Sequence, residues 1–256
     1  MRTRYRISVG GVHMDSLDDK LCILNIQYAP PERETKRHTN ANLNGYDPDG
    51  EKIIRRTITV TFELHEYDIV KRNALCQKVN NWAAVGGTLI TNDREGQRLY
   101  NTKCEQFVDV SARDWTEPLT LVFATTYNPN WQSNAAVTRT LTGKNVTGTM
   151  DLDGNIGSAL VSVTATAQAN VTSFKATVGS YVLELTGLSV ANGQTIVIDY
   201  IRSRYLRIRA NGSNVQAKLK PASSDCLLAE CGKTSSIGIV SDGKVSAVFS
   251  ARGCWR

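Results

Sequence analysis

Reactive and membrane-spanning features are scarce in these 256 residues. Histidine occurs three times, at His13, His38 and His65, never at a metal-ligand spacing. Cys226 and Cys231 lie close together with Cys254 near the end, but this half of the chain offers no histidine as a fourth zinc ligand. No apolar run approaches the ~18 residues that a membrane-spanning helix requires. Neither a phosphate-binding glycine loop nor a Gly-x-Ser-x-Gly elbow occurs, so nucleotide hydrolysis and serine-hydrolase chemistry lack their usual scaffolds. Asp47-Pro48-Asp49-Gly50-Glu51 and Asp151-Leu152-Asp153-Gly154-Asn155 start like calcium loops but lack the remaining ligands at the required offsets. Aspartate and glycine are also what tight turns need, and both stretches are read as turns. No cofactor or metal is expected. Glycoside hydrolysis needs only two carboxylates, which Asp109, Asp114 or Glu117 would supply, although solvated surface acids are the commoner arrangement.

The six cysteines are expected as free thiols, because a chain of this size does not depend on disulfide staples. The basic start, Met1-Arg2-Thr3-Arg4-Tyr5-Arg6, is followed by a stretch too short and polar for a signal-peptide core. Synthesis and folding in a cytoplasm are expected, and the sequons at Asn145, Asn170 and Asn211 are then idle.

Against this background a single helical period stands out. Within residues 67–83, Ile69, Cys76 and Ala83 recur seven apart, and Leu75, Val79 and Trp82 complete an apolar stripe. Gly86-Gly87 ends it. Just before it, Ile58, Val60, Phe62 and Leu64 alternate with polar residues, the period of a strand with one buried face. Leu21, Ile23, Leu24 and Ile26 are expected in the core of an earlier strand. Residues 30–50 are polar and rich in turn formers, which fits either a loop or a hairpin arm.

Residues 127–134, Tyr-Asn-Pro-Asn-Trp-Gln-Ser-Asn, form the best boundary, giving domains 1–132 and 133–256. The first 130 residues are electrically neutral, and the whole excess of +6 falls beyond them. Past the boundary no helical period remains. Strands are expected over 160–169, 181–185, 195–200, 205–209, 236–240 and 245–249, with a turn at Ser241-Asp242-Gly243-Lys244. Short strands with regular turns indicate a β-sandwich.

The stretch 114–123, ending in Tyr127-Asn128-Pro129-Asn130-Trp131, resembles the end of the N-terminal domain of distal tail proteins (Dit) of long-tailed bacteriophages. So does the order strand 57–64, helix 67–83, Gly86-Gly87. Residues 185–190 and 193–199 resemble a hairpin of that family's C-terminal domain, and 237–242 and 245–252 its closing strands. The resemblance covers nearly the whole chain. It implies a mainly β protein: a tail-tube-like β-sandwich with one α-helix, then a galectin-like β-sandwich. It also implies a structural, non-enzymatic role at the distal end of a virion tail. Six copies would form a hub ring between the tail tube protein above and a tail-tip or fibre protein below. DNA would pass through the ring only in transit, receptor-binding proteins are further partners, and no membrane is involved. The family's carbohydrate-binding insertion has no room here. Two alternatives stay open. One is a carbohydrate-binding host-recognition module, with Trp131, Tyr181 or Tyr205 stacking on sugars. The other is a tail tube subunit with an extra domain.

A ring interface needs one patch to meet a different patch on the next copy. Arg33, Lys36 and Arg37 on the polar arm, with Arg55 and Arg56 beside it, are the candidate ring or partner interface. Arg202, Arg207 and Arg209, with Arg204, form the densest basic cluster and a candidate outward face. A solvated sheet face whose arginine stems cover apolar neighbours is the competing reading of that cluster.

Overall fold

The computed structural model describes residues 5–38, 47–109, 117–126, 128–155, 157–201 and 205–255, and only the backbone of 34–38 and 47–53. It is mainly β and divides into two compact units, Met1–Trp131 and Gln132–Arg256.

In the first unit seven of the described strands form one antiparallel path. Its order is Val12–His13, Ile7–Val9, Gly87–Thr91, Gln97–Gln106, Leu119–Thr125, Thr57–Leu64 and Leu21–Tyr28. Thr57–Leu64 lies inside the sheet and buries every second residue: Ile58, Val60, Phe62 and Leu64. Leu21–Tyr28 begins with the same alternation but shifts register between Ile23 and Asn25. The extra residue is Leu24. A bulge reverses the facing of the residues after it, so Ile26 returns to the core while Leu24, expected inside, is exposed.

The helix spans Ile69–Val85. Asp68 caps it, its carboxylate accepting from the backbone N–H groups of Val70 and Lys71 at 2.9 and 3.1 Å. The buried stripe is Leu75, Cys76, Val79, Trp82 and Ala83, joined by Arg72. Ile69, expected on that stripe, sits in the first turn, beyond the sheet's reach, and is 57% exposed. The Trp82 indole N–H donates to the Val12 carbonyl at 2.9 Å and its ring meets Phe123 edge-on, which seats the helix on the sheet. Gly86 ends the helix at φ 61°, where a Cβ would lie 2.7 Å from the Thr102 carbonyl oxygen. Glycine is thus required twice over, for its dihedral and for its lack of a side chain.

Residues 30–50, left open between loop and arm, contain an antiparallel pair, Glu32–His38 with Asp47–Arg55. These segments pair as a ribbon, and residues 39–46 between them lie outside the described residues. Pro48 sits in the second of these strands, tolerated because a two-stranded ribbon leaves half its backbone groups outside the ladder.

The second unit is built around one long strand, Thr234–Ala251. Its first half pairs with Val171–Val178 and its second half with Ser162–Ala167. Val137–Asp151 runs along the other side of both halves. Tyr181–Val190 extends one wing; Thr195–Ile201, Tyr205–Ala210 and Ser213–Asn214 extend the other. Both wings feed a single core, with Phe174, Leu183 and Leu185 from one and Ile196, Ile198 and Ile208 from the other.

The turn expected at Ser241-Asp242-Gly243-Lys244 is instead a corner inside the long strand. These four residues bulge opposite Lys144 alone, between the pairs Val240–Asn145 and Val245–Gly143. A strand changes sheets at such a bend. Asp242 holds the corner by accepting from the backbone N–H groups of Thr172 and Ser173, the Thr172 hydroxyl and the Gly243 N–H. Gly243 presses so closely on the Asn170 carbonyl that a Cβ would sit 2.2 Å from its oxygen. The hydroxyl bond from Thr172, then the backbone donors, hold the Asp242 carboxyl down at about 2. A depressed folded-state value stabilises above the unfolded carboxyl range, and that stability is lost as pH falls through the folded value. Asp242→Ala should therefore cost about 1 kcal/mol near neutrality. In denaturant titrations, the gap between wild type and variant should close as pH drops from ~4 toward 2.

Candidate assembly surfaces

Arg55 and Arg56 look equivalent in the sequence but are not. Arg56 has the same parity as Ile58 and Val60, so the sheet turns it inward, and it is 4% exposed. Its backbone N–H donates to the Thr125 hydroxyl at 3.0 Å, and its Nε donates to the Pro129 carbonyl at 2.8 Å. Burial, then the nearby Arg94 charge, lowers the guanidinium's pKa. Arg56 thus pins the segment 128–131 to the first unit's sheet rather than facing outward. Arg55 points the other way, pairing with Glu105 and lying 3.9 Å from Glu32. Arg33 is exposed on the same ribbon. The side chains of Lys36 and Arg37 lie outside the described residues, as do Arg202, Arg204 and Asp114.

Trp131 is fully buried. Its ring meets Tyr28 edge-on at 5.6 Å between centroids, and the Arg94 guanidinium lies 4.8 Å from both rings. The Tyr28 hydroxyl donates toward the Asp93 carboxylate, and burial followed by that bond raises its pKa. Trp131 is therefore unavailable as a sugar-stacking platform, since a stacking ring must present its face to solvent. Tyr205 remains exposed and Tyr181 partly so.

The basic cluster of the second unit is partly neutralised. Asp199 stands directly across the ladder from Arg207. Arg207 binds it through two nitrogens, at 2.7 and 2.6 Å, and Arg209 adds a third contact at 3.1 Å. The Arg207 bonds hold the Asp199 carboxyl below its ordinary range. Two positive charges and one negative make a stiff polar face with a residual charge of +1. Paired guanidinium groups of this kind fix geometry more than they add affinity. No group of three or more His, Cys, Asp or Glu among the described residues is placed to hold a metal. No helix among the described residues is long and apolar enough to cross a membrane.

Two further exposed features escape the sequence reading. Tyr67, Ile69 and Val70 expose apolar surface at the start of the helix, and Val85 does so at its end. The heptad itself carries the signal, since Val70 and Val85 fall off the stripe that the sheet covers.

The opposed environments of Arg55 and Arg56 predict opposed costs. Arg56→Ala should lower the stability of the first unit by about 2 kcal/mol, because the Pro129 carbonyl loses a charged donor in a buried site. Arg55→Ala should stay within about 0.5 kcal/mol, as for other exposed pairs. Equilibrium denaturation of both variants measures the difference.

No protein-family model matches the chain, and no curated protein matches it by sequence. Solved structures do. The crystal structure of Dit (gp 19.1) of phage SPP1, described as a paradigm of the hub adsorption apparatus in phages infecting Gram-positive hosts, superposes with a TM-score of 0.71 at 13% identity. That match covers 97% of this chain and 98% of the other. A chain of the phage p2 baseplate, in its activated conformation with strontium, gives a TM-score of 0.50 at 9% identity, with 97% of each chain covered. Along nearly its whole length, the chain has the fold of a phage distal tail hub protein.

Proposed function

We propose that this protein is a distal tail protein of a long-tailed bacteriophage, a structural component of the virion and not an enzyme. Six copies form a ring that joins the tail tube to the tail-tip or fibre protein and encloses the path of the exiting DNA. The second, galectin-like unit faces receptor-binding partners. The observation that carries this reading is the match in fold to the SPP1 hub protein, which runs through both units.

The physics of the surface supports it. Antiparallel ribbons offer unpaired backbone donors and acceptors along their edges, which suit strand-to-strand contact between copies. The Glu32–His38 and Asp47–Arg55 ribbon is such an element, with Arg33 and Arg55 beside it. A lasting interface buries about 1,600 Å² in total, and an arm adds area that a rounded sandwich lacks. Weak contact with passing DNA suits ejection, since each neutralised phosphate would add affinity.

Light scattering on the purified full chain should return six copies per particle, and negative-stain images should show rings with a central opening. A particle that stays monomeric at high concentration, together with a tail tip lacking the protein, would sink the proposal. In the virion, one ring's worth of copies separates a hub from a tube subunit, which would be present in many rings. Arg33→Glu and Arg33→Glu/Arg55→Glu should weaken ring assembly by tenfold or more, since like charges across an interface cost over about 1.4 kcal/mol. Sedimentation velocity at low salt reads that shift.

A further inference from the structure

Two thiols meet where the second unit closes. Cys231 comes just after the short strand Leu228–Glu230, and Cys254 opens the last strand, Cys254–Trp255. Gly154 lies between their backbones: it bridges to Cys254, and a Cβ on it would come within 3.0 Å of the Cys231 Cβ and 2.3 Å of the Cys254 carbonyl oxygen. Backbone bonds lock the three segments together. Asn155 N–H donates to the Cys254 carbonyl at 3.0 Å, Cys231 N–H to Gly157 at 3.0 Å, and Gly232 N–H to Leu152 at 2.7 Å.

Both backbones adjoin Gly154, and the two side chains lie close enough to influence each other's acidity. Both cysteines are free, and they are 9% and 3% exposed. The Cys254 thiol donates to the Arg252 carbonyl at 3.7 Å. The closeness of the two sulfurs favours the thiolate at Cys231 and the protonated thiol at Cys254. Cys226 shows the contrast: burial, then the neighbouring Asp225, raises it. A cavity of about 400 Å³ opens beside the pair, lined by Asp151, Asp153, Gly154, Gly232, Lys233 and Thr234. Gly154 and Gly232 of its lining flank the pair, and Cys231 is the more exposed of the two thiols.

We propose that Cys231 and Cys254 form a reversible disulfide, made by exchange with a low-molecular-weight disulfide. The Cys231 thiolate attacks one reagent sulfur, breaking the reagent's S–S bond and releasing one thiol. Cys254 loses its proton and attacks the Cys231 sulfur of the mixed disulfide, expelling the second thiol. The protein loses two hydrogens and two electrons, and one reagent disulfide becomes two thiols. The bond closes a loop of roughly 23 residues. That loop contains the whole of Thr234–Ala251, so oxidation ties the unit's central strand to its own end.

The test uses the full chain, reduced and then exposed to excess oxidised glutathione. Trypsin without reductant should give peptide 219–233 joined to peptide 253–256, lighter by two hydrogens than their sum. Because the first peptide also holds Cys226, Cys226→Ser must leave the link intact, and Cys231→Ser or Cys254→Ala must abolish it. Melting temperature should rise by about 5 °C or more on oxidation, and dithiothreitol should reverse it. Cys254 left open to alkylation, a link through Cys226, or a stable glutathione adduct on Cys231 would each overturn the proposal. Mapping on the wild type keeps the answer clear even if a variant folds poorly. The outcome is the same for single subunits and for rings, so it stands apart from the assembly reading.

Discussion

The second unit depends on one constraint: a strand of 18 residues must keep the same parity inside while it leaves one sheet wing and enters another. It does so. From Ser235 to Ala251 every odd-numbered residue is buried, including Ile237, Ile239, Val245, Ala247 and Phe249. A shift of one residue would turn this entire row to solvent. The corner at 241–244 sets four residues against one, and this odd offset of three falls on the partner strand, whose buried residue passes from odd-numbered Leu141 to even-numbered Met150. Asp242 satisfies the backbone donors freed at the bend, and Gly243 lets the chain approach Asn170. Burial of the two wings against each other is a consequence of that preserved alternation.

Charge in this protein serves its own architecture first. Arg56 holds the segment before the second unit, Arg94 lies against two aromatic rings, and Arg207 and Arg209 share Asp199. A buried cation with a carbonyl partner resists removal because its partner is left without a donor. Surface pairs such as Arg55–Glu105 carry no such penalty, so they can exchange an internal partner for one on a neighbouring copy. The useful distinction among the arginines is therefore burial, not number. A count of basic residues overstates the charge available to a partner.

The same alternation decides how much of the fold is legible in the sequence. Thr57–Leu64 and the helix Ile69–Val85 are legible because each repeats its period several times and the helix carries a stop signal in Gly86. Val137–Asp151 is not, since it buries little beyond Leu141 and Met150 and reads as a polar threonine-rich run. Leu24 reads as a core residue because a bulge is a property of pairing, which one strand's residues do not encode. The corner reads as a turn because Asp-Gly serves both. The inward facing of Arg56 is within reach of the sequence: its parity with Ile58, Val60 and Phe62 places it inside. The Asp199–Arg207 pair is also within reach, as the two residues are symmetric about the 201–205 connection.

A fold that turns its apolar rows so strictly inward leaves its edges and exposed apolar residues as surfaces for contact. In the first unit these include the two ends of the strand path, the ribbon ending at Arg55, and the apolar residues at the ends of the helix, which differ from one another in chemistry. Unlike patches on one subunit make a head-to-tail contact, which a fixed rotation closes into a ring. A closed ring covers the edges that a lone subunit would expose to uncontrolled strand pairing. Protection of sheet edges is thus one physical reason for such a fold to assemble with copies of itself.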